Sequence, residues 1–407
     1  MATATTFNYV VRDRAGKTKA GTLDAPDQRA VAAKLRDMGL APVSITERKQ
    51  SALQSDLTIP GFGPKVGLKD LAVFARQFST MINSGLSLIR ALNILVDQTE
   101  NKKLAEILGA IRTDIEGGKG LSESLADHEE FPKLFVAMVK AGEIAGMLDS
   151  VLLRIADTLE KDLELRRRIK SAMTYPVVVL IMAIILTTVM LIFIVPVFVG
   201  MFESLGGVLP LPTRILLVLS FVVRKLWYIL VLLPIIGWQG FKYARKQPRM
   251  RYQLDVIKLK LPVFGNLFHK VALSRFTRNF GSLLRAGVPI LSSLEITAET
   301  VNNGVIADAV DDVKDAVREG ESVARPLSQH TVFPPMVVQM MAVGEETGAM
   351  DDMLMKISDF YDDEVTALTE SLTAMLEPLM IGVLGGIVGA MVIALYMPMF
   401  AIFDLIQ

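Results

Sequence analysis

FPKLFVAMVKAGEIAGMLDSVL, residues 131–152, returns 202 positions later as FPPMVVQMMAVGEETGAMDDML, residues 333–354. Each copy runs on into an apolar tract, TYPVVVLIMAIILTTVMLIFIVPVF (174–198) in the first and LEPLMIGVLGGIVGAMVIALYMPMF (376–400) in the second. At that single offset, without a gap, Gly142-Glu143 falls on Gly344-Glu345, Gly146 on Gly348, Pro176 on Pro378 and Pro196 on Pro398. Upstream, Phe74, Arg76, Phe78, Gly85 and Leu92 meet Phe276, Arg278, Phe280, Gly287 and Leu294. A unit of roughly 130 residues is a duplicated domain, too long for a solenoid repeat.

Apolar residues make up 51% of the 407, mean hydropathy is +0.43, and 43 basic residues balance 43 acidic ones. That balance fits a membrane protein with sizeable aqueous domains. It argues against a nucleic-acid partner, which calls for a clearly basic face. With no cysteine, disulfides, thiol catalysis and thiolate metal sites are excluded. Three histidines leave little for a polyhistidine centre. The first 60 residues hold no long apolar run, so the N-terminus is expected to start in the cytosol without a cleavable signal.

Alternation at Phe7, Tyr9 and Val11, a turn over Asp13 to Gly16 and a return over Lys17 to Leu23 predict a hairpin. Val31, Leu35 and Met38 lie at helical spacing behind an Asp24 or Asp27 cap, with Gly39 placed to end the helix and Pro42 to Ile45 as a third strand. The expectation for 1–46 is a small cytoplasmic ββαβ module, followed by a polar linker over 47–67. Helical periodicity fills 68–170, with breaks at Ser84-Gly85, at Gly117-Gly118, before Phe131-Pro132 and over Gly142 to Gly146. Five or six antiparallel helices satisfy that pattern. The fold class is therefore mainly α: a polytopic membrane protein with two homologous cytoplasmic helical-bundle repeats, 68–170 and 244–376, and three transmembrane helices.

Lys170 and Glu203 bracket 32 uncharged residues, and Glu377 and Asp404 bracket 26, which places spans at 171–199 and 377–403. The tract between them is divided by Arg224 and Lys225, two charges that would be expensive at the centre of a lipid-facing helix. The second span is therefore set at 224–243, and the extracytoplasmic loop 200–223 is given an interfacial helix, LPTRILLVLSFVV. Arg166, Arg167, Arg168 and Lys170 precede the first span, and Lys242, Arg245, Lys246, Arg249 and Arg251 follow the second. Basic flanks of this kind place both repeats in the cytoplasm and the 404–407 tail outside. The middle span then brings the chain back, so that both copies share one orientation.

Several short elements invite a chemical reading. Gly16-Lys17-Thr18 ends like a phosphate loop, but Val11 stands where the required glycine should be, and the turn reading is preferred. Gly142-Glu143 with Gly146, and Gly344-Glu345 with Gly348, read first as structure: a glycine past a helix end, and a carboxylate complementing the next helix N-terminus. They also serve as candidates for docking a basic partner surface. His128 and His330 are equivalent and read as turn or cap residues. From 344 to 377 the second copy carries ten acidic residues and one lysine, against six and six over 142–175, so the copies have diverged in charge. Gly382, Gly385, Gly386 and Gly389 give overlapping GxxxG spacings for helix packing, where the first copy has Leu180, Ala183, Ile184 and Thr187. Tyr175-Pro176 and Glu377-Pro378 mark where two of the spans begin.

A ββαβ-like start, FP…GExxGxL cores from Phe131-Pro132 to Leu148 and from Phe333-Pro334 to Met350, the proline pairs and a terminal Met397-Pro398-Met399-Phe400 carry a resemblance over about residues 5 to 405. The chain resembles the inner-membrane platform protein family of type IV pilus assembly and type II secretion, PilC/GspF. Methionine replaces the motif leucine at Met350. The resemblance implies a non-enzymatic protein with no cofactor, in the bacterial inner membrane and as a homo-oligomer. Its partners would be a cytoplasmic hexameric assembly ATPase, other inner-membrane assembly proteins and the pilin or pseudopilin subunits extracted from the bilayer. A rival reading is a small-solute transporter built from parallel repeats. Three spans leave little room for a pathway, and the first lacks interior charge. A membrane enzyme ranks lower, since no nucleophile, metal or acid-base set converges.

Overall fold

The computed structural model describes residues 5–12, 18–25, 28–37, 41–47, 65–204, 209–262 and 264–403. They fall in two units, Met1–Lys65 and Val66–Gln407. In the first unit β1 (Thr5–Arg12) lies between β2 (Thr18–Ala25) and β3 (Ala41–Glu47), antiparallel to both. Helix α1 (Gln28–Asp37) lays Val31 and Leu35 against Phe7 and Ala25 in a small buried core. Asp24 sits in β2 opposite Thr6 and so does not cap α1. The Asp13 to Gly16 turn, Asp27, Met38, Gly39, most of the linker and the C-terminal tail lie outside the described residues.

In the second unit the first repeat forms six helices, α2 (Leu68–Asn83), α3 (Leu88–Gln98), α4 (Lys102–Glu116), α5 (Leu121–Ala126), α6 (Lys133–Ala145) and α7 (Leu148–Val189). A π-helical turn, Met190–Ile194, carries α7 into α8 (Val195–Ser204). Then come α9 (Leu211–Lys225), α10 (Trp227–Lys246) and α11 (Pro248–Lys260). The second repeat follows as α12 (Phe264–Arg285), α13 (Ile290–Thr300), α14 (Gly304–Arg318), α15 (Ala324–Leu327), α16 (Pro335–Thr347) and α17 (Met350–Phe403). The starts of α3, α4, α6 and α7 recur 202 residues on, as does the end of α2.

The packing recurs as well. In α2, Leu71, Phe74, Ala75 and Phe78 are buried at the spacing of one helix face. Phe74 meets Phe131 at 5.8 Å between ring centroids, and Phe131 meets Phe135 at 5.2 Å. In the second copy Phe276 meets Phe333 at 5.1 Å, and buried Val337 occupies the Phe135 position. Leu283, Ala286 and Val288 of the second repeat join the first repeat's core, so the bundles share an apolar seam.

One expected boundary is corrected. Gly142 lies inside α6 and does not break it, and Gly344 likewise lies inside α16; the chain turns only at Gly146 and Gly348. Arg224 and Lys225 close the last turn of α9, where cations complement the helix dipole, and α10 begins after them at Trp227. Pro176 and Pro378 sit within α7 and α17. Two helical stretches, Leu148–Met201 and Met350–Pro398, are long and apolar enough to cross a membrane. A third candidate span is counted if α9 and α10, bent by 71°, are taken together.

Candidate functional site

Helix α7 has 42 residues and α17 has 54. At the standard rise they are rods of about 63 and about 81 Å, each joining a helical bundle to an apolar span. Lys161 reaches Asp359 at 2.6 Å and Arg168 donates to Thr366 at 3.2 Å, both across 198 positions. A constant separation means that the rods run parallel. Because the copies are equivalent at 202, the rods are slipped by four residues, about one helical turn. Leu165 packs with Val365 and Leu372 between them, and a buried 3.1 Å hydrogen bond joins Thr158 to Ser282 of α12. Pro176 and Pro378 follow this clamped section; each ring removes an intrahelical hydrogen bond and marks a point where the rod can bend.

At the far end of each rod sit the glycine-glutamate elements. A Cβ on Gly142 would stand 2.9 Å from Val151 Cβ, and one on Gly344 would stand 2.9 Å from Met350 Cα. These glycines therefore let α6 and α16 press against the start of the rods. Gly146 and Gly348 have φ of 68° and 69°, the left-handed C-cap that glycine tolerates without strain.

The carboxylates do not serve the next helix, as the sequence reading expected. They reach back 22 positions to the N-termini of the short helices. Glu143 accepts from Leu121 N at 2.8 Å, Ser122 N at 3.1 Å and Ser122 Oγ at 2.6 Å. Glu345 accepts from Val323 N at 2.9 and 3.1 Å and from Ala324 N at 3.3 Å. Burial pushes the Glu143 carboxyl up, but the Ser122 hydroxyl and the two backbone N–H groups outweigh it and hold the group below the usual carboxylate range. The backbones of His128 and His330 close the following turns through the N–H groups of Phe131 and Phe333.

The first repeat's tip exposes apolar side chains. Ile144 is 79% exposed and Met147 is 52% exposed. Beside Ile144, an 860 Å³ groove runs between α6 and α13, with Val136, Ala141, Val288 and Ile296 in its walls and Lys140 and Glu295 at its edge. In the second repeat the Ile144 position is Glu346.

Between the apolar halves of the rods lies a second groove, of 710 Å³, lined by Leu180, Ile184 and Thr187 of α7 and by Leu379, Val383 and Ile387 of α17. Gly382, Gly385, Gly386 and Gly389 occupy the opposite side of α17, where an added Cβ would meet nothing within 4 Å. Packing of this glycine face inside the chain is therefore absent among the described residues. Helix α9 ties the outer ends of the rods together, with Thr213 Oγ1 donating to Ala394 O at 2.5 Å and Ser220 Oγ to Leu191 O, in the π-helical turn, at 2.6 Å. Tyr175 is exposed beside buried Pro176, whereas Glu377 and Pro378 are both exposed. Among the described residues no three His, Asp or Glu side chains converge as a metal site.

Compared with known proteins, residues 74–196 and 276–398 each match the family described as Type II secretion system (T2SS), protein F, and residues 1–46 match that family's N-terminal domain. The chain is 43% identical to the type IV pilus assembly protein PilC of Myxococcus xanthus, over 98% of this chain and 96% of that protein. It is 45% identical to the PilC of Thermus thermophilus, over 97% and 98%. It is 32% identical to the type II secretion system protein F of Vibrio cholerae, over 96% and 97%.

Proposed function

The chain belongs to the type II secretion system protein F family, an inner-membrane platform protein of type IV pilus or type II secretion machinery, and from that premise we propose that it couples a cytoplasmic assembly ATPase to the extraction of pilin or pseudopilin subunits. The observation that carries this reading is the pair of uninterrupted rods. A push or twist applied to the bundles has only helix to travel through before it reaches the apolar groove between α7 and α17. The clamped section stiffens the cytoplasmic half, and the prolines let the rods flex where they leave it. Orientation follows the basic flanks, with the N-terminus and both repeats cytoplasmic and three crossings in all.

The ATPase contact is placed at the first repeat's tip. From Leu148 to Lys170 the rod extends about 33 Å from the membrane side, and only this copy presents Ile144 and Met147 to solvent beside an apolar groove. The glycine-glutamate elements hold that tip in shape. The glycine face of α17 is assigned to contacts between subunits. The protein works without chemistry of its own.

The test is an insertion of two glycines after Leu163, with an Ile144→Asp variant beside it. The insertion is expected to abolish piliation or secretion while the solubilised protein still captures the ATPase. Ile144→Asp is expected to lose capture. Normal assembly by the insertion variant would overturn the coupling role.

A further inference from the structure

Arg76 and Arg278 are the same residue in the two copies, and the structure treats them differently. Arg76 gives Nε to Glu160 at 2.8 Å and Nη2 to Glu160 and Asp157, each at 2.5 Å. Arg278, whose side chain is 1% exposed, gives only Nη2, to Asp362 and at 3.3 Å to Ser274 Oγ. Its Nε and Nη1 are buried without a partner. The carboxylate equivalent to Asp157 is Asp359, and in the second copy it is taken by Lys161. A buried guanidinium left with two idle nitrogens, three N–H donors between them, is costly unless something else supplies acceptors.

Arg278 forms part of the wall of a cleft between the repeats. Two adjoining cavities of 650 and 780 Å³ share Arg166, Arg251, Arg275 and Asn302. Their linings hold seven cationic side chains and three carboxylates. All three carboxylates are engaged: Asp162 with Arg166 and Arg275, Asp255 with Lys258 and the Gly304 N–H, Glu299 with Lys133. No carboxylate lies within ion-pair distance of Arg251 among the described residues. Burial lowers the Arg275 pKa, and the charges of Arg166 and Arg278 add to that effect against the pull of Asp162. Positive charge is thus in excess in a recess that nothing among the described residues fills.

The cleft also has a location. Arg166 stands four positions before Lys170, where the charged part of α7 gives way to its apolar span. Arg245 lies in the last turn of α10, with its guanidinium over the Phe241 ring, while the Lys242 ammonium lies over Trp238. Aromatic and basic residues at such a helix end belong at headgroup level. We propose that the cleft of Arg166, Arg245, Arg251, Lys258, Arg275 and Arg278 binds a phosphate-bearing anion, supplied by an anionic phospholipid headgroup. Guanidinium groups match phosphate oxygens in pairs, and basic pockets between helices on the cytoplasmic side are where such headgroups lodge. A lipid held here would brace the rods against the second repeat at their base, about 33 Å from the tip assigned to the ATPase.

The experiment uses the full-length protein in nanodiscs of phosphatidylcholine alone or with one-fifth phosphatidylglycerol or cardiolipin, and in detergent with inorganic pyrophosphate. Retained lipid is counted by native mass spectrometry and stability is followed by thermal midpoint. The expected result is selective retention of the anionic lipid with a raised midpoint. Retention should weaken about five-fold for each arginine removed in Arg251→Gln and Arg275→Gln, with rescue in Arg275→Lys. Arg251 is exposed and Arg251→Gln should fold, so loss of lipid in that variant cannot be laid to misfolding. Stabilisation by pyrophosphate without lipid retention would overturn the lipid source, and no response to either anion, or equal retention by wild type and Arg251→Gln, would overturn the site.

Discussion

Removing the Glu143 carboxylate separates a structural role for the glycine-glutamate tip from a docking one. Helix α5 has six residues, too short to persist by propensity alone, and two of its first N–H groups are satisfied only by Glu143. Loss of an N-terminal cap typically costs about 1 kcal/mol, and loss of the charge at the dipole adds about 0.3–1 kcal/mol at an exposed site. Glu143→Ala should therefore destabilise α5 by about 1–2 kcal/mol. That raises its open population, and with it hydrogen exchange over 121–126, by about 5- to 30-fold. Glu143→Gln keeps one acceptor oxygen and should show roughly half the free-energy change. The Glu143 carboxyl is held below its usual range, so its contribution is complete above the ordinary carboxylate pKa and is lost as pH falls through the lowered folded value. Relative to the intrinsic rate of amide exchange at each pH, wild-type protection in α5 should fall over that acid window, and in Glu143→Gln it should not. Exchange mass spectrometry in detergent reads both effects. Unchanged exchange in Glu143→Ala, together with loss of ATPase capture, would refute the capping argument and return the carboxylate to docking.

Gly344→Ala forces a Cβ against the Met350 backbone and should cost about 1–3 kcal/mol, read as a lower thermal midpoint, while Gly109→Ala, in open space on α4, should not lower it. Asp362→Asn strips the buried Arg278 of its counter-charge and should cost about 3–5 kcal/mol, whereas Glu160→Gln, which leaves partly exposed Arg76 with Asp157, should cost no more than about 1 kcal/mol by the same measurement. Gly385→Leu with Gly389→Leu should lower the yield of crosslinked subunits in membranes, and an unchanged yield would remove α17 from the subunit contact.

The duplication, the helical bundles and two spans were legible in the sequence because each depends on a period or a run. A residue offset of 202, a 3.6-residue stripe and an uncharged tract need no knowledge of spatial neighbours. What could not be read depends on pairs brought together by folding. Glu143 was expected to face the next helix because α7 is adjacent in sequence, but the N–H groups that need it belong to α5, beside it in space. Gly142 looked like a break because glycine breaks helices, whereas here it is the one residue thin enough to pass Val151. The groove between the rods joins residues about 200 positions apart, and the arginine cleft joins α7, α11 and α12. Departures from the internal repeat were legible as well. The copies differ at Val73 and Arg275, and at Ile144 and Glu346, and each difference falls at a surface that only one repeat presents. A duplicated domain keeps what its fold requires, as with the paired glycines and capping glutamates. The one-turn slip between the rods then denies the copies equivalent surroundings, so Asp359 meets Lys161 and leaves Arg278 short of acceptors. In such a chain, departures from the internal repeat are the better guide to function, and the repeated motifs report mainly on how the fold is held.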